Sequence, residues 1–433
     1  MGNHQMSGES SMENISELVG HVKLPEMTEV RQLFDRACIE DIPKELKTRF
    51  DRPEIRSSVK PGMTVAIAVG SRGIKNIALI VRETVTFLKS LGAKPFIVPA
   101  MGSHGGATAE GQRNVLATFG ITEEYTGAPI KSSMEVVELH TFTDGMKVYC
   151  DRNAGEADAI VAVNRIKPHT CFSGPYESGL MKIMAIGLGK QVGAYSYHEK
   201  GFEGFAENIQ RVGKVFLQKT NTIFGVGILE NAFGDTYKIA LLTSDEIPLL
   251  EPGLLEESRR HMPRICFDNL DVLIVDWIGK NFSGDGMDPN ITGAFLTPYA
   301  RGGIKTRRIA VLDLSDESYG NACGAGIADT STRRLFEKFD FGKTYPNSLT
   351  STVSLVSKVP LILKNQREAI QAAIMMSFGS DKENLRIVRI PNTLQLEYIH
   401  ISAALLDEAR AHEGVEVISG PTTFDFNDNG DLF

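Results

Sequence analysis

What most constrains this chain is a cycle of segment types met twice in succession: an apolar run, a glycine-rich loop, then a stretch with helical spacing. PGMTVAIAV (61–69) leads through GSRGIKN (70–76) into IALIVRETVTFLKSLG (77–92). AKPFIVPAMG (93–102) leads through SHGGATAEGQ (103–112) into a helix that Thr108 caps and that ends near Phe119. Short apolar runs bounded by turn residues fit strands buried on both faces. Parallel strands need a crossover between them, and a helix supplies it. The order therefore predicts a parallel sheet covered by helices.

The same logic continues downstream. ADAIVAV (157–163) is another buried strand, followed by NRIKPHTCFSGPYESG (164–179), a helix over 180–186 and the glycine-rich GLGKQVG (187–193). TIFGVGILE (222–230) and YKIALLTSD (237–245) read as a strand pair. MPRICFDN (262–269) is a junction, after which LDVLIVDWIG (270–279) opens a second α/β unit. RIAVLDLS (308–315), helical stretches near 327–340 and 365–378, and strands near 385–390 and 394–402 complete it. The expected fold class is α/β, two domains with mainly parallel sheets. Residues 1–17 read as a disordered lead, 18–260 as the N-terminal domain and 261–433 as the C-terminal domain. A chain of 433 residues suits this division.

Composition narrows the function classes. The net charge is −8, which speaks against a nucleic-acid partner, since such a partner needs a basic face; a small anion in a local basic pocket is compatible with it. The cysteines at 38, 150, 171, 266 and 323 form no CxxC pair, which argues against a disulfide framework or an iron–sulfur cluster. No apolar run reaches the roughly 18 residues of a membrane span. The polar start MGNHQMSGESSMENISE has no apolar signal core, so a cytoplasmic location is expected.

Ligands of open α/β sheets gather at the carboxyl ends of the strands, and four loops there carry suitable groups. In GSRG (70–73) glycines permit close backbone approach, and Arg72 can hold a carboxylate in bidentate fashion; the alternative is a surface turn with a solvated arginine. In GSHGGAT (102–108) His104, flanked by small residues, suits acid–base work near neutral pH; the alternative is a turn histidine bonded only to backbone. In 164–190, His169 again follows a buried strand, and Lys182 lies in an apolar helix start, where its ammonium form is disfavoured; snorkelling is the usual fate of such a lysine. In QVGAYSYHEKG (191–201) His198 can serve as a metal ligand or sit exposed. GLGKQVG places its last glycine one residue late for a dinucleotide fingerprint. GKNFSGDGMDPNITG (279–293) does not keep calcium-loop spacing, although its Lys280 can face a cleft between the domains.

As a set, Ser71-Arg72, Gly102-Ser103-His104, Pro168-His169, Ser178-Gly179-Leu180-Met181-Lys182 and Tyr197-His198 resemble the nickel-pincer-nucleotide lactate racemase family. The step of 16 residues from Lys182 to His198 is similar to the family's step from cofactor lysine to nickel histidine. The resemblance implies an isomerase, a racemase or epimerase of a 2-hydroxy acid, with its active site in the interdomain cleft. It implies a pyridinium-3,5-bisthiocarboxylic acid mononucleotide nickel complex, with His198 as the protein's nickel ligand and Lys182 as the residue that can bind the cofactor covalently. His104 and His169 become opposed acid–base residues. Hydride passes to the pincer ring and returns to either face of a transient 2-keto acid, chemistry that side chains alone cannot provide. Ser71, Gly187 and Gly189 are the further cofactor-binding candidates, and Arg72, Lys280 and Arg165 the substrate-binding ones. The expected partner is a small 2-hydroxy acid, with no nucleic acid and no membrane; a homodimer is compatible with this reading.

The sequence departs from the family pattern at Val69, where an aspartate is usual, at Gly105, where the lactate enzyme has arginine, and at Ser178–Met181, which replaces a Gly-Gly-Arg turn. A substrate other than lactate is expected, and Arg165 with Lys167 suits a larger or doubly charged acid such as malate or an aldonic acid. Two other readings stand beside this one: a lyase or hydrolase using a simple divalent metal and acting on a small carboxylate, and a non-catalytic anion-binding module.

Overall fold

The computed structural model describes residues 8–199 and 201–433. It divides into two compact units, Asp35–Met262 and a second formed by Pro263–Phe433 together with the described residues up to Phe34. Both are α/β units with mostly parallel sheets, as the alternation of apolar runs and helices predicts.

In the Asp35–Met262 unit the strand Thr64–Val69 lies between Lys94–Pro99 and Ala159–Arg165, parallel to both. Thr222–Glu230 continues the parallel set beyond Ala159–Arg165, and Thr236–Thr243 closes the sheet antiparallel. The helix Ile77–Ser90 presents Ile77, Ile80, Val81, Thr84, Val85 and Leu88 to the sheet at helical spacing. They meet Val65, Ile67, Ile97, Val161 and Val163, all of them buried. Burying each such side chain contributes roughly 1.5–3 kcal/mol. Because Val69, Pro99 and Arg165 end parallel neighbours, the loops carrying Ser71-Arg72, His104 and His169 all leave one sheet edge. A small hairpin, Val136–Thr141 with Lys147–Asp151, adds a strand pair that the periodicity does not reveal.

In the other unit Leu270–Ile278 is central, parallel to Thr306–Leu314 on one side and Ile387–Ile390 on the other. Thr330–Thr332 and Leu361–Leu363 extend the parallel part. Beyond Ile387–Ile390 the sheet turns antiparallel through Tyr398–Ser402, Met27–Gln32 and Val415–Val417. Two sequence expectations change here. The disordered lead proposed for 1–17 is helical from Gly8, as Gly8–Gly20. Val19 of that helix packs on Ala369, Ile370 and Ala373, and the Ser16 hydroxyl donates to Glu368 at 2.6 Å. Residues up to Phe34, assigned from 18 onward to the N-terminal domain, pair instead with strands near the chain's other end. The helix gains its apolar surroundings from a segment hundreds of positions away, which local periodicity cannot register. Among the described residues no helix is long and apolar enough to cross a membrane.

Candidate functional site

The site grows from the shared edge of the Asp35–Met262 sheet. Ser71, the second residue beyond Thr64–Val69, meets the neighbouring loop directly: its hydroxyl contacts His104 Nδ1. A hydroxyl can donate or accept, so Ser71 supports either neutral tautomer of His104, including the one that leaves Nε2 as a base. His104 and Arg72 are exposed, as a substrate-facing base and anion holder require. The loop is suspended from below by Gln112, fully buried in the helix Ala109–Thr118. Its Nε2 donates to Gly102 O at 2.9 Å and to His104 O at 3.3 Å. The Gln112 Oε1 accepts from Lys190 Nζ at 3.0 Å. Lys190 also donates to Pro99 O at 2.6 Å and pairs with Asp151 at 3.1 Å, with no exposed side-chain surface on either partner. Burial pulls the Lys190 ammonium below the usual lysine range and pushes Asp151 up, while their mutual attraction opposes both shifts. Lys190 holds a φ of +55°, a left-handed conformation that costs a side-chain-bearing residue roughly 1–2 kcal/mol.

His169 is held differently. Its backbone N–H donates to Glu177 Oε2 at 2.6 Å, and Gly174 N–H donates to Oε1 at 2.9 Å. Glu177 is buried and pairs with Arg259; its carboxyl is raised by burial against the lowering effect of these donors. The ring itself lies against Phe172, with centroids 4.4 Å apart, and Nδ1 accepts from Cys171 N–H at 3.1 Å. In that orientation the neutral ring carries its proton on Nε2 and meets a ligand as a donor.

Lys182 ends the short helix Leu180–Lys182, which widens into a π-helical turn over Ile183–Gly187. Such turns are frequent at functional sites. Leu180, Met181 and Ile183 are buried, so the half-buried Lys182 leaves an apolar wall. Glu251 anchors this segment: its Oε2 accepts from Met181 N–H at 3.0 Å. Burial pushes the Glu251 carboxyl up to about 8. Only glycine fits at 179, since a Cβ there would lie 1.9 Å from Glu251 Oε1. Asn164, at the end of Ala159–Arg165, donates to Gly179 O at 2.9 Å and so ties the Lys182 segment to the sheet edge. Gly187 belongs to the same packing: its carbonyl accepts from Gly102 N–H at 3.0 Å, and a Cβ on it would meet Ala100 O at 2.6 Å. Gly189 is likewise closed off, with Gly193 Cα 3.1 Å from a Cβ position. These two glycines, read from sequence as cofactor contacts, are packed on the side where a Cβ would stand against the protein's own backbone.

The remaining candidates sort as follows. Arg165 is paired with Glu230, so a substrate carboxylate would have to compete for it. Lys280 belongs to the Pro263–Phe433 unit, where its Nζ donates to Gly284 O at 2.5 Å and Asn347 Oδ1 at 2.9 Å. His198 closes the helix Lys190–His198, and its side chain lies outside the described residues. Among the described residues no three His, Cys, Asp or Glu side chains converge as a metal-binding cluster.

Sequence reading missed Glu177, Glu251, Gln112 and Lys190, the groups that hold the loops. Their one visible signal is a charged or polar residue set between glycines or inside an apolar face, as in GLGK and SGPYESG.

Residues 21–207 match the family described as the lactate racemase N-terminal domain. Among solved structures, the chain is similar to the lactate racemase apoprotein from Thermoanaerobacterium thermosaccharolyticum, with 14% identity and a TM-score of 0.53, over 85% of this chain and 99% of that one. It also matches a protein from Thermotoga maritima, with 13% identity and a TM-score of 0.48, over 92% and 99% of the two chains. At such identity the likeness to the Thermoanaerobacterium thermosaccharolyticum structure is one of fold. No curated protein sequence matches.

Proposed function

We propose that the chain is a racemase or epimerase of a 2-hydroxy acid, working with a nickel-pincer nucleotide, a reading supported by the match of residues 21–207 to the family described as the lactate racemase N-terminal domain. The observation that carries the proposal is the shared sheet edge: the His104, His169 and Ser71-Arg72 loops leave it together, and the Lys182 segment is bonded to it.

The donor set suits such a group. A cofactor that brings its own metal donors needs few from the protein. Lys182 is the residue to hold it, projecting from a wall of buried apolar neighbours; His198 is the residue to complete its metal. When bound, the group supplies a reversible hydride acceptor.

The protein's part is proton handling and orientation. His104, with Nδ1 against the Ser71 hydroxyl, takes the substrate's hydroxyl proton at Nε2. His169 presents Nε2–H to the substrate oxygen as a hydrogen-bond donor. For His169 to serve as base for the opposite enantiomer, its ring must make a half-turn, which releases Nδ1 from Cys171 N–H to carry the proton. Arg72 holds the carboxylate. The 2-hydroxy acid is larger than lactate or doubly charged, a choice that Lys167 beside His169 supports; Arg165 is paired with Glu230.

The test is purification from a host that makes the pincer cofactor, with metal content, intact mass and chiral chromatography of 2-hydroxy acids, beside a Lys182→Ala variant. Near-stoichiometric nickel, an added mass absent from the variant and interconversion of enantiomers are expected. No nickel under conditions that load a known family member would overturn the cofactor assignment. Nickel loading without interconversion of any 2-hydroxy acid would overturn the reaction.

A further inference from the structure

We infer that Lys190 is a positioning residue for His104, acting through Gln112. The inference rests on the reading of His104 as an acid–base residue and adds to it the group that orders its loop.

Lys190 has a buried ammonium that the proposed chemistry does not use. Its donors converge on the segment that carries His104. One goes to Pro99 O, the last residue of the strand from which the loop departs. Another goes to Gln112 Oε1, and the same amide's Nε2 reaches Gly102 O and His104 O. The amide direction is thereby determined. Turned over, Gln112 would point its NH₂ at the ammonium and its oxygen at two carbonyls, with every contact repulsive. The cation thus selects the one orientation in which Gln112 can hold the loop. Asp151, at the end of Lys147–Asp151, balances the charge without touching the loop. Lys190 also begins the helix that ends at His198, so one side chain ties the start of that helix to the His104 loop. A purely structural lysine would be satisfied by the Asp151 pair; the contacts through Gln112 are what make this one specific to His104.

The experiment uses the full chain, with histidines labelled in the imidazole ring and His104 signals assigned by their loss in His104→Asn. Lys190→Met strands Asp151 in the core and lowers stability, so Gln112→Met, which leaves the ion pair intact and matches the side chain in size, is the deciding variant. In a folded Gln112→Met protein, His104 signals should shift and broaden while those of His169 stay in place. In loaded enzyme the turnover number should fall by about tenfold to a hundredfold, as expected for a base displaced by a fraction of an ångström to one ångström. KM should stay within about threefold, and the limb of the pH profile that reports His104 should move. His104 signals and turnover both unchanged in the folded variant would overturn the inference. If instead His104→Asn racemises normally, the acid–base reading fails, while the resonance comparison still decides whether Lys190 and Gln112 order the loop.

Discussion

The two histidine loops leave neighbouring positions of one sheet edge, yet they are held by opposite chemistry. The His104 loop hangs by its carbonyl oxygens from buried donors, Gln112 and Lys190, and its exposed ring meets a hydroxyl. The His169 loop is gripped by its N–H groups from a buried acceptor, Glu177, and its half-buried ring meets a backbone N–H and a phenyl face. The difference teaches that a pair of acid–base residues need not be equivalent at rest. Ser71 can adapt to either protonation of His104. Cys171 N–H can only donate, so it biases His169 toward one tautomer.

The largest expected effect is on turnover. His104→Ala and His169→Ala should each reduce it by about 10²–10⁴-fold, the usual contribution of a positioned acid or base. Assayed in a single turnover from each enantiomer separately, His169→Ala should slow formation of the 2-keto acid from one enantiomer more than from the other. Equal losses in both directions for both variants would break the asymmetry.

Next comes stability. Glu177→Ala leaves two N–H groups without their acceptor and Arg259 with only the exposed Glu256, and should cost about 3 kcal/mol in urea unfolding, the low end of the range for breaking a buried pair. Glu177→Gln keeps one acceptor oxygen and should lose less. A cost within experimental error for Glu177→Ala would show that the His169 loop is not held as described.

Ser71→Ala should have a smaller effect, about 1 kcal/mol, the net value of one hydrogen bond, read as a fall in turnover with unchanged folding. If it matched His104→Ala in severity, Ser71 would be more than an adaptable partner.

The last effect concerns pH. Burial lifts Glu251 from its ordinary 4.5 to about 8, so the folded chain binds this proton more tightly than the unfolded chain does. That stabilisation is complete below the unfolded pKa and disappears as pH rises through about 8. The wild-type melting temperature should therefore drop between about pH 5 and about pH 9 more steeply than that of Glu251→Gln. Parallel curves would remove Glu251 from the anchoring of the Lys182 segment.

Much of this was legible in the chain itself. The runs at 64–69, 94–99 and 159–165 are apolar enough to be read as buried parallel strands, and the rule that ligands gather at strand ends then points to Ser71, Arg72, His104 and His169. Lys182 stood out as a charge in an apolar helix. The helix Gly8–Gly20 and the strand Met27–Gln32 were not legible, because their partners lie at the far end of the chain. Nor was the packing of Gly187 and Gly189, against which Ala100 and Gly193 approach closely.

By itself the sequence determined the class of fold, the edge of the sheet and the kinds of group gathered there, because hydrophobic period and turn residues act locally. Tertiary structure alone decided how those groups are held: which nitrogen of His169 carries its proton, which way the Gln112 amide faces and why a lysine at 190 is buried. Hydrogen-bond direction and burial are properties of several segments brought together in space, and no one of those segments specifies them on its own.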